Sequence, residues 1–204
     1  MILLAPSHQL KLAKQSLKTF GLDQRHIVTY NFNSLGWRSQ HEYTDPTDKI
    51  IAIGNSMVFG MGVQENERWS GLLEEDLNEP VWNFGIGHLV HSNMQYLRIM
   101  NSIMTVGRPK HIILQINNLD RVEFGDTWDY ADNLGLSEAY VMQQFDDFCK
   151  LWKEIIKDVP CTYLYWDNHQ HNLSEEFINQ LTIYNMPRLD QAHPDLEDRK
   201  STRL

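Results

Sequence analysis

A hydroxyl, an imidazole and a carboxylate together can open an acyl bond: the hydroxyl attacks, the imidazole takes its proton, and the carboxylate fixes the tautomer of the ring. Ser56, His193 and Asp190 are the residues of these types whose positions suggest such chemistry. Ser56 lies in the stretch Lys49 to Gly62, KIIAIGNSMVFGMG, where the apolar run Ile50-Ile51-Ala52-Ile53 reads as a strand buried on both faces and breaks at Gly54-Asn55. A small polar residue is thereby delivered to the carboxyl end of a strand, the edge at which open parallel sheets bind ligands. Asp190 and His193 share one short loop, DQAHP, and a spacing of three lets the carboxylate reach the ring. Acyl transfer also needs N–H donors arranged where negative charge develops. The segments Gly85-Ile86-Gly87 and Asn117-Asn118, each at a strand exit, offer them. Taken singly, Ser56 is as well explained as a turn or cap residue, and Asp190 as a solvated carboxylate.

The elements that must position these groups follow from periodicity. Leu10 to Phe20 has helical spacing and is closed by Gly21, and Ile27 to Thr47 carries too many turn formers for a regular element. Trp69, Leu72, Leu73 and Leu77 predict a helix over Glu67 to Asn78, and Val81 to Phe84 a second strand. A third helix is expected from Ser92 to Thr105, and the clearest strand is His111 to Ile116. Val122 to Leu136 reads as a polar, aromatic-rich loop on the substrate side. Beyond it Val141, Phe145, Phe148, Trp152, Ile155 and Ile156 draw one stripe on a helix capped by Ser137. Cys161 to Trp166 is the fourth strand, and Ser174 caps a short helix through Leu181. Strands alternating with helices imply a parallel sheet with helices on both faces, a three-layer α/β/α sandwich.

With 204 residues and 42% hydrophobic content the chain can bury one substantial core and is short for two. A single domain over residues 1–194 is expected, its first 48 residues forming a helix and lead-in loop, followed by a charged, aperiodic tail at 195–204. The net charge of −9, without a basic cluster, argues against nucleic acid as a partner. Two cysteines, Cys149 and Cys161, are too few for a disulfide framework or a cysteine-rich metal site. No run of about 18 apolar residues predicts a membrane span. The start of the chain lacks the basic and apolar regions of a secretory signal, so the cytoplasm is the default location.

Four blocks of the sequence, taken in order, resemble those of the SGNH hydrolases, also called GDSL esterases. They are Gly54-Asn55-Ser56, Asn83-Phe84-Gly85-Ile86-Gly87, the strand ending in Asn117-Asn118, and Asp190-Gln191-Ala192-His193-Pro194. The similarity spans roughly Asn33 to Pro194, since Asn33-Ser34-Leu35-Gly36-Trp37-Arg38 resembles a lead-in of some members. The resemblance implies a flavodoxin-like α/β/α fold and hydrolysis of esters, acetyl groups on sugars included, with no metal and no cofactor. It implies Ser56 as nucleophile, His193 as base and Asp190 as its orienting partner. The oxyanion hole would be formed by the Ser56 N–H, a glycine N–H (Gly87) and an asparagine side chain, with Asn118 preferred to Asn117.

Three departures accompany the resemblance. Asn55 stands where the family usually has Asp, His88 takes the place of the last glycine of the second block, and the third block lacks the family's Gly-x-Asn-Asp. Asp167, His169 and His171 suggest a metal by composition, but alternating His in a polar loop more often faces solvent, and metal is set aside. The expected substrate is a carbohydrate or small-molecule ester. The rival expectation is a binding or structural module that keeps the fold with weak or no turnover. Residues Asp195 to Leu204 hold only Leu196 and Leu204 as apolar side chains, so no terminal helix is expected to anchor the His193 loop, and a truncated chain would explain this.

Overall fold

The computed structural model describes residues 28, 30–87, 92–124, 127–165 and 181–183. The chain divides into two compact units, Met1–Tyr30 and Asn31–Leu204, and every element named below lies in the second. Strands β1 (Ile50–Gly54), β2 (Val81–Gly85) and β3 (His111–Ile116) alternate with helices α1 (Ser56–Phe59), α2 (Trp69–Leu77) and α3 (Asn93–Val106). A hairpin of β4 (Arg121–Phe124) and β5 (Thr127–Tyr130) follows, then α4 (Glu138–Ile156), β6 (Cys161–Tyr165) and β7 (Leu181–Ile183). The main sheet has the order β2-β1-β3-β6-β7, and all four pairings are parallel. With the hairpin set aside this is the flavodoxin-like order 2-1-3-4-5, which reverses between β1 and β3.

Every residue of β1 is buried, because its two faces serve two different layers. Ile51 and Ile53 join Trp82, Phe84, Ile112 and Leu114 in one cluster with Tyr96 and Met100 of α3 and Phe148 and Trp152 of α4. Ile50 and Ala52 point the other way, into a smaller cluster with Val81, Ile113, Val58 of α1, and Trp69 and Leu73 of α2. The alternation of a strand is what splits the run in this manner. At about 1.5–3 kcal/mol for each fully buried aliphatic side chain, a strand without a polar face is stable only between two such layers. The fold is therefore a three-layer α/β/α sandwich around a parallel sheet.

The periodic helices form close to where their spacing predicts them. In α4 the stripe of Val141, Phe145, Phe148, Trp152 and Ile156 is buried, and the Ser137 hydroxyl caps it by accepting from Tyr140 N–H at 3.3 Å. The helix expected from Glu67 begins at Trp69; Glu65–Glu67 instead forms a 3-10 turn, held by a capping box between Gln64 and Glu67.

Two expectations are corrected. Val122 to Leu136 is not all loop: β4 and β5 pair antiparallel from Arg121 with Tyr130 to Phe124 with Thr127. Apolar and polar residues alternate on both sides of Gly125-Asp126, a hairpin signal that the segment's polarity obscured. Leu181 does not end a helix but opens β7, which pairs with β6, so the sheet has five strands rather than four. Leu181-Thr182-Ile183 is β-branched enough for a strand, but it is too short to announce itself by pattern. The helix at Leu10 to Phe20, the residues Ser174 to Gln180 and the tail from Asp195 lie outside the described residues.

Candidate active site

Ser56 is the first residue of α1, a single turn set on the carboxyl end of β1. Asn55 is its N-cap, accepting from Met57 N–H through Oδ1 at 2.9 Å. Gly60 closes the turn in the left-handed region, φ +78°, with its N–H on the carbonyls of Met57 and Ser56. So short a helix has little stability of its own and must be held by its surroundings. Two glycines let it approach the sheet. A Cβ at Gly54 would lie 2.4 Å from Val58 Cγ2, and one at Gly85 would lie 2.0 Å from Phe59 N. Ser56 itself is half-buried.

Three buried polar side chains fasten this turn. Asn83 of β2 donates from Nδ2 to the Val58 carbonyl at 2.5 Å and to Ser70 Oγ at 2.7 Å, while its Oδ1 accepts from Gly85 N–H at 2.9 Å. The Tyr43 hydroxyl accepts from Asn83 N–H at 2.6 Å and donates to its carbonyl at 3.2 Å, and burial pushes the phenol pKa up to about 12. Arg38, 1% exposed, donates to the carbonyls of Phe59 (2.9 Å), Gly60 and Val63 (2.6 Å). Its Nε faces Glu65 at 3.3 Å, and Glu65 also meets Arg68 Nη2 at 2.5 Å. Arg68 in turn donates to the Arg38 carbonyl at 2.6 Å; burial draws its pKa down and the Glu65 carboxylate works against that. The lead-in segment ending in Arg38 thus serves as a clamp on the carbonyls that follow Ser56.

The exit of β3 is joined to the exit of β1 through side chains. Asn55 Nδ2 donates to Asn117 Oδ1 at 2.8 Å, across the point where the strand order reverses. Asn117 is fully buried, and its backbone is bracketed by Asn93 of α3, whose Oδ1 accepts from Asn117 N–H at 2.8 Å and whose Nδ2 donates to the Asn117 carbonyl at 3.4 Å. The Tyr96 hydroxyl lies in the same region, and burial drives its pKa well above the usual phenol range. Asn118 is half-buried, and its carbonyl accepts from Arg121 N–H at 3.2 Å.

Of the residues singled out in the sequence, Ser56, Asn55 and Asn117 are brought together at this switch point. Gly87 stands two residues beyond β2, where a Cβ would come within 3.0 Å of the Phe59 ring. Asp190, His193, His88, Asp167, His169 and His171 lie outside the described residues. Among the described residues no group of three His, Cys, Asp or Glu side chains could hold a metal ion, and no helix is long and apolar enough to cross a membrane. Asn93 escaped the sequence reading because it sits one residue past Ser92, where it passes for an ordinary helix start.

No protein-family model matches the sequence, and no curated protein does. Among solved structures, the chain is similar to the crystal structure of TesA at 12% identity and a TM-score of 0.48, over 76% of this chain and 93% of that one. It is similar to EstA, a psychrotrophic esterase from Pseudoalteromonas sp., at 12% identity and a TM-score of 0.48, over 76% and 91%. A third likeness is to AlinE4, an SGNH-hydrolase family esterase, at 19% identity and a TM-score of 0.41, over 66% and 64%.

Proposed function

We propose that this protein is a serine esterase of the SGNH type that removes an acyl group, with acetyl the first to test, from an oxygen ester of a carbohydrate or small molecule. The observation that carries the reading is the Asn55–Asn117 bridge, which joins the first and third blocks over the β1/β3 switch point, beside Ser56. In the proposed reaction Ser56 Oγ attacks the ester carbonyl carbon and its proton passes to His193, which Asp190 orients. The tetrahedral oxyanion is met by the N–H groups of Ser56 and Gly87 and by an asparagine amide. Collapse expels the alcohol, protonated by His193, and leaves acyl-Ser56. Water deprotonated by His193 then releases the acid and restores the serine. The bridge supports Asn117 rather than Asn118 as the amide donor, since among the described residues it is the Asn117 side chain that is bonded to the Ser56 turn.

The test is labelling by a fluorophosphonate, which traps an activated serine. A single adduct on Ser56, absent from Ser56→Ala, is the expected result, with kcat for 4-nitrophenyl acetate falling by on the order of 10⁶ as for a triad serine. A folded wild-type protein that takes no label would return the chain to the reading of a binding module. A panel of 4-nitrophenyl esters from acetyl to octanoyl would then set the acyl length.

A further inference from the structure

We infer that Asn93 is a positioning residue for Asn117, which it holds by the backbone while Asn55 holds it by the side chain; the catalytic consequence rests on the esterase reading above. The polarity of the arrangement is fixed at one end by a group that cannot turn over. Met57 N–H can only donate, so the atom of Asn55 that meets it at 2.9 Å is the oxygen. The Asn55 nitrogen therefore faces Asn117, and because it too can only donate, it selects the Asn117 oxygen, at 2.8 Å. The Asn117 nitrogen therefore faces away from Asn55, on the side of the buried Tyr96 hydroxyl, with which the Asn117 side chain interacts.

β3 ends at Ile116, and among the described residues its pairing with β6 ends there too, at Ile116 with Tyr165. Asn93 supplies what the ladder no longer does. Its amide presents an acceptor to Asn117 N–H and a donor to Asn117 C=O, the pair of groups that a neighbouring strand would present. Asn93 is 6% exposed and opens α3, a helix of 14 residues whose buried face belongs to the main core, so the amide is mounted on a rigid element. Removing it leaves a fully buried N–H without its acceptor and allows the exit of β3 to relax.

Asn93→Ala is expected to lower kcat for 4-nitrophenyl acetate by about 10²-fold, the cost of misplacing a catalytic group by 1 Å, with KM moving by less than about threefold. A residue that only stabilised the fold would leave kcat per folded, fluorophosphonate-titrated site unchanged. The second readout needs no activity: amide hydrogen exchange at Asn117, followed by NMR and normalised to the core amide of Leu114. Exchange in Asn93→Ala should quicken by at least about tenfold relative to Leu114, whereas Asn93→Asp, which keeps an oxygen for the N–H, should retain the protection. Unchanged Asn117 exchange in Asn93→Ala would overturn the inference. So would faster exchange with wild-type kcat. A wild-type protein that takes no fluorophosphonate label removes the esterase reading instead, and the exchange result still decides whether Asn93 holds Asn117.

Discussion

The two ends of the sheet are built differently. Around the carboxyl ends of β1, β2 and β3 the polar groups are buried and hydrogen-bonded: Arg38, Arg68, Asn83, Asn93 and Asn117 are all at most 6% exposed. At the amino ends the charges lie on the surface, as in Lys110 with Glu79 at 2.7 Å and Arg108 with Asp158. Apolar packing could have held both ends, and burying a guanidinium or an amide costs free energy unless every partner is in place. A chain that concentrates such groups at one end is fixing backbone there in a way that apolar contacts, which have no direction, cannot. The Ser56 turn and the Asn117 exit are the segments so fixed.

Substitutions at the two ends should therefore differ in scale. The largest effect on stability is expected from Arg38→Met, which strips the carbonyls of Phe59, Gly60 and Val63 of their donor and breaks a buried charge network. A loss of about 3–5 kcal/mol in urea unfolding is expected. A loss below about 1 kcal/mol would mean that the clamp is ornamental and that the contrast between the ends fails.

Next in size comes Asn117→Ala, with kcat reduced by about 10²–10³-fold for an oxyanion donor and KM little changed. Asn118→Ala measured beside it sharpens the comparison, since among the described residues no side-chain hydrogen bond joins Asn118 to the Ser56 turn, and it should lose much less. If Asn118 carries the larger loss, the reading that assigns the donor to Asn117 is off by one residue.

At the amino end, Lys110→Ala removes an ion pair whose lysine side chain is 54% exposed. Thermal or urea unfolding should shift by less than about 1 kcal/mol, and less still in high salt. The smallest effect is a pH dependence. Burial first, and the Lys110 charge second, hold the His111 imidazole below its usual pKa, and Thr162 Oγ1 stands 2.9 Å from its Nε2. The unfolded chain then binds the proton more readily than the folded one, so His111 favours the fold at neutral pH. That advantage declines as pH falls below about 6.5. His111→Gln should flatten the fall in stability on that acid side, and a slope that stays as steep would assign it to other groups.

Much of this architecture is local in origin and legible as such. The β-branched run at Ile50 to Ile53, the stripe from Val141 to Ile156 and the Gly-Asn-Ser break each declare their element through period and composition. Ser56 at a strand exit follows from them directly. What the sequence left open are choices between partners. Asn55 and Asn117 stand 62 positions apart, and nothing in either segment says that β1 and β3 are neighbours; the strand order decides it. The same holds for Arg38, whose partners at Phe59 to Val63 are met only once the lead-in is packed against α1. The choice between Asn117 and Asn118 could not be read from composition, because successive residues of an extended chain point to opposite sides and a shift of one exchanges them. What tertiary packing adds is an orientation: with Ile112, Leu114 and Ile116 committed to the larger core and Asn93 on the peptide that follows, the Asn117 amide is turned to Asn55, which is why we propose it as the donor.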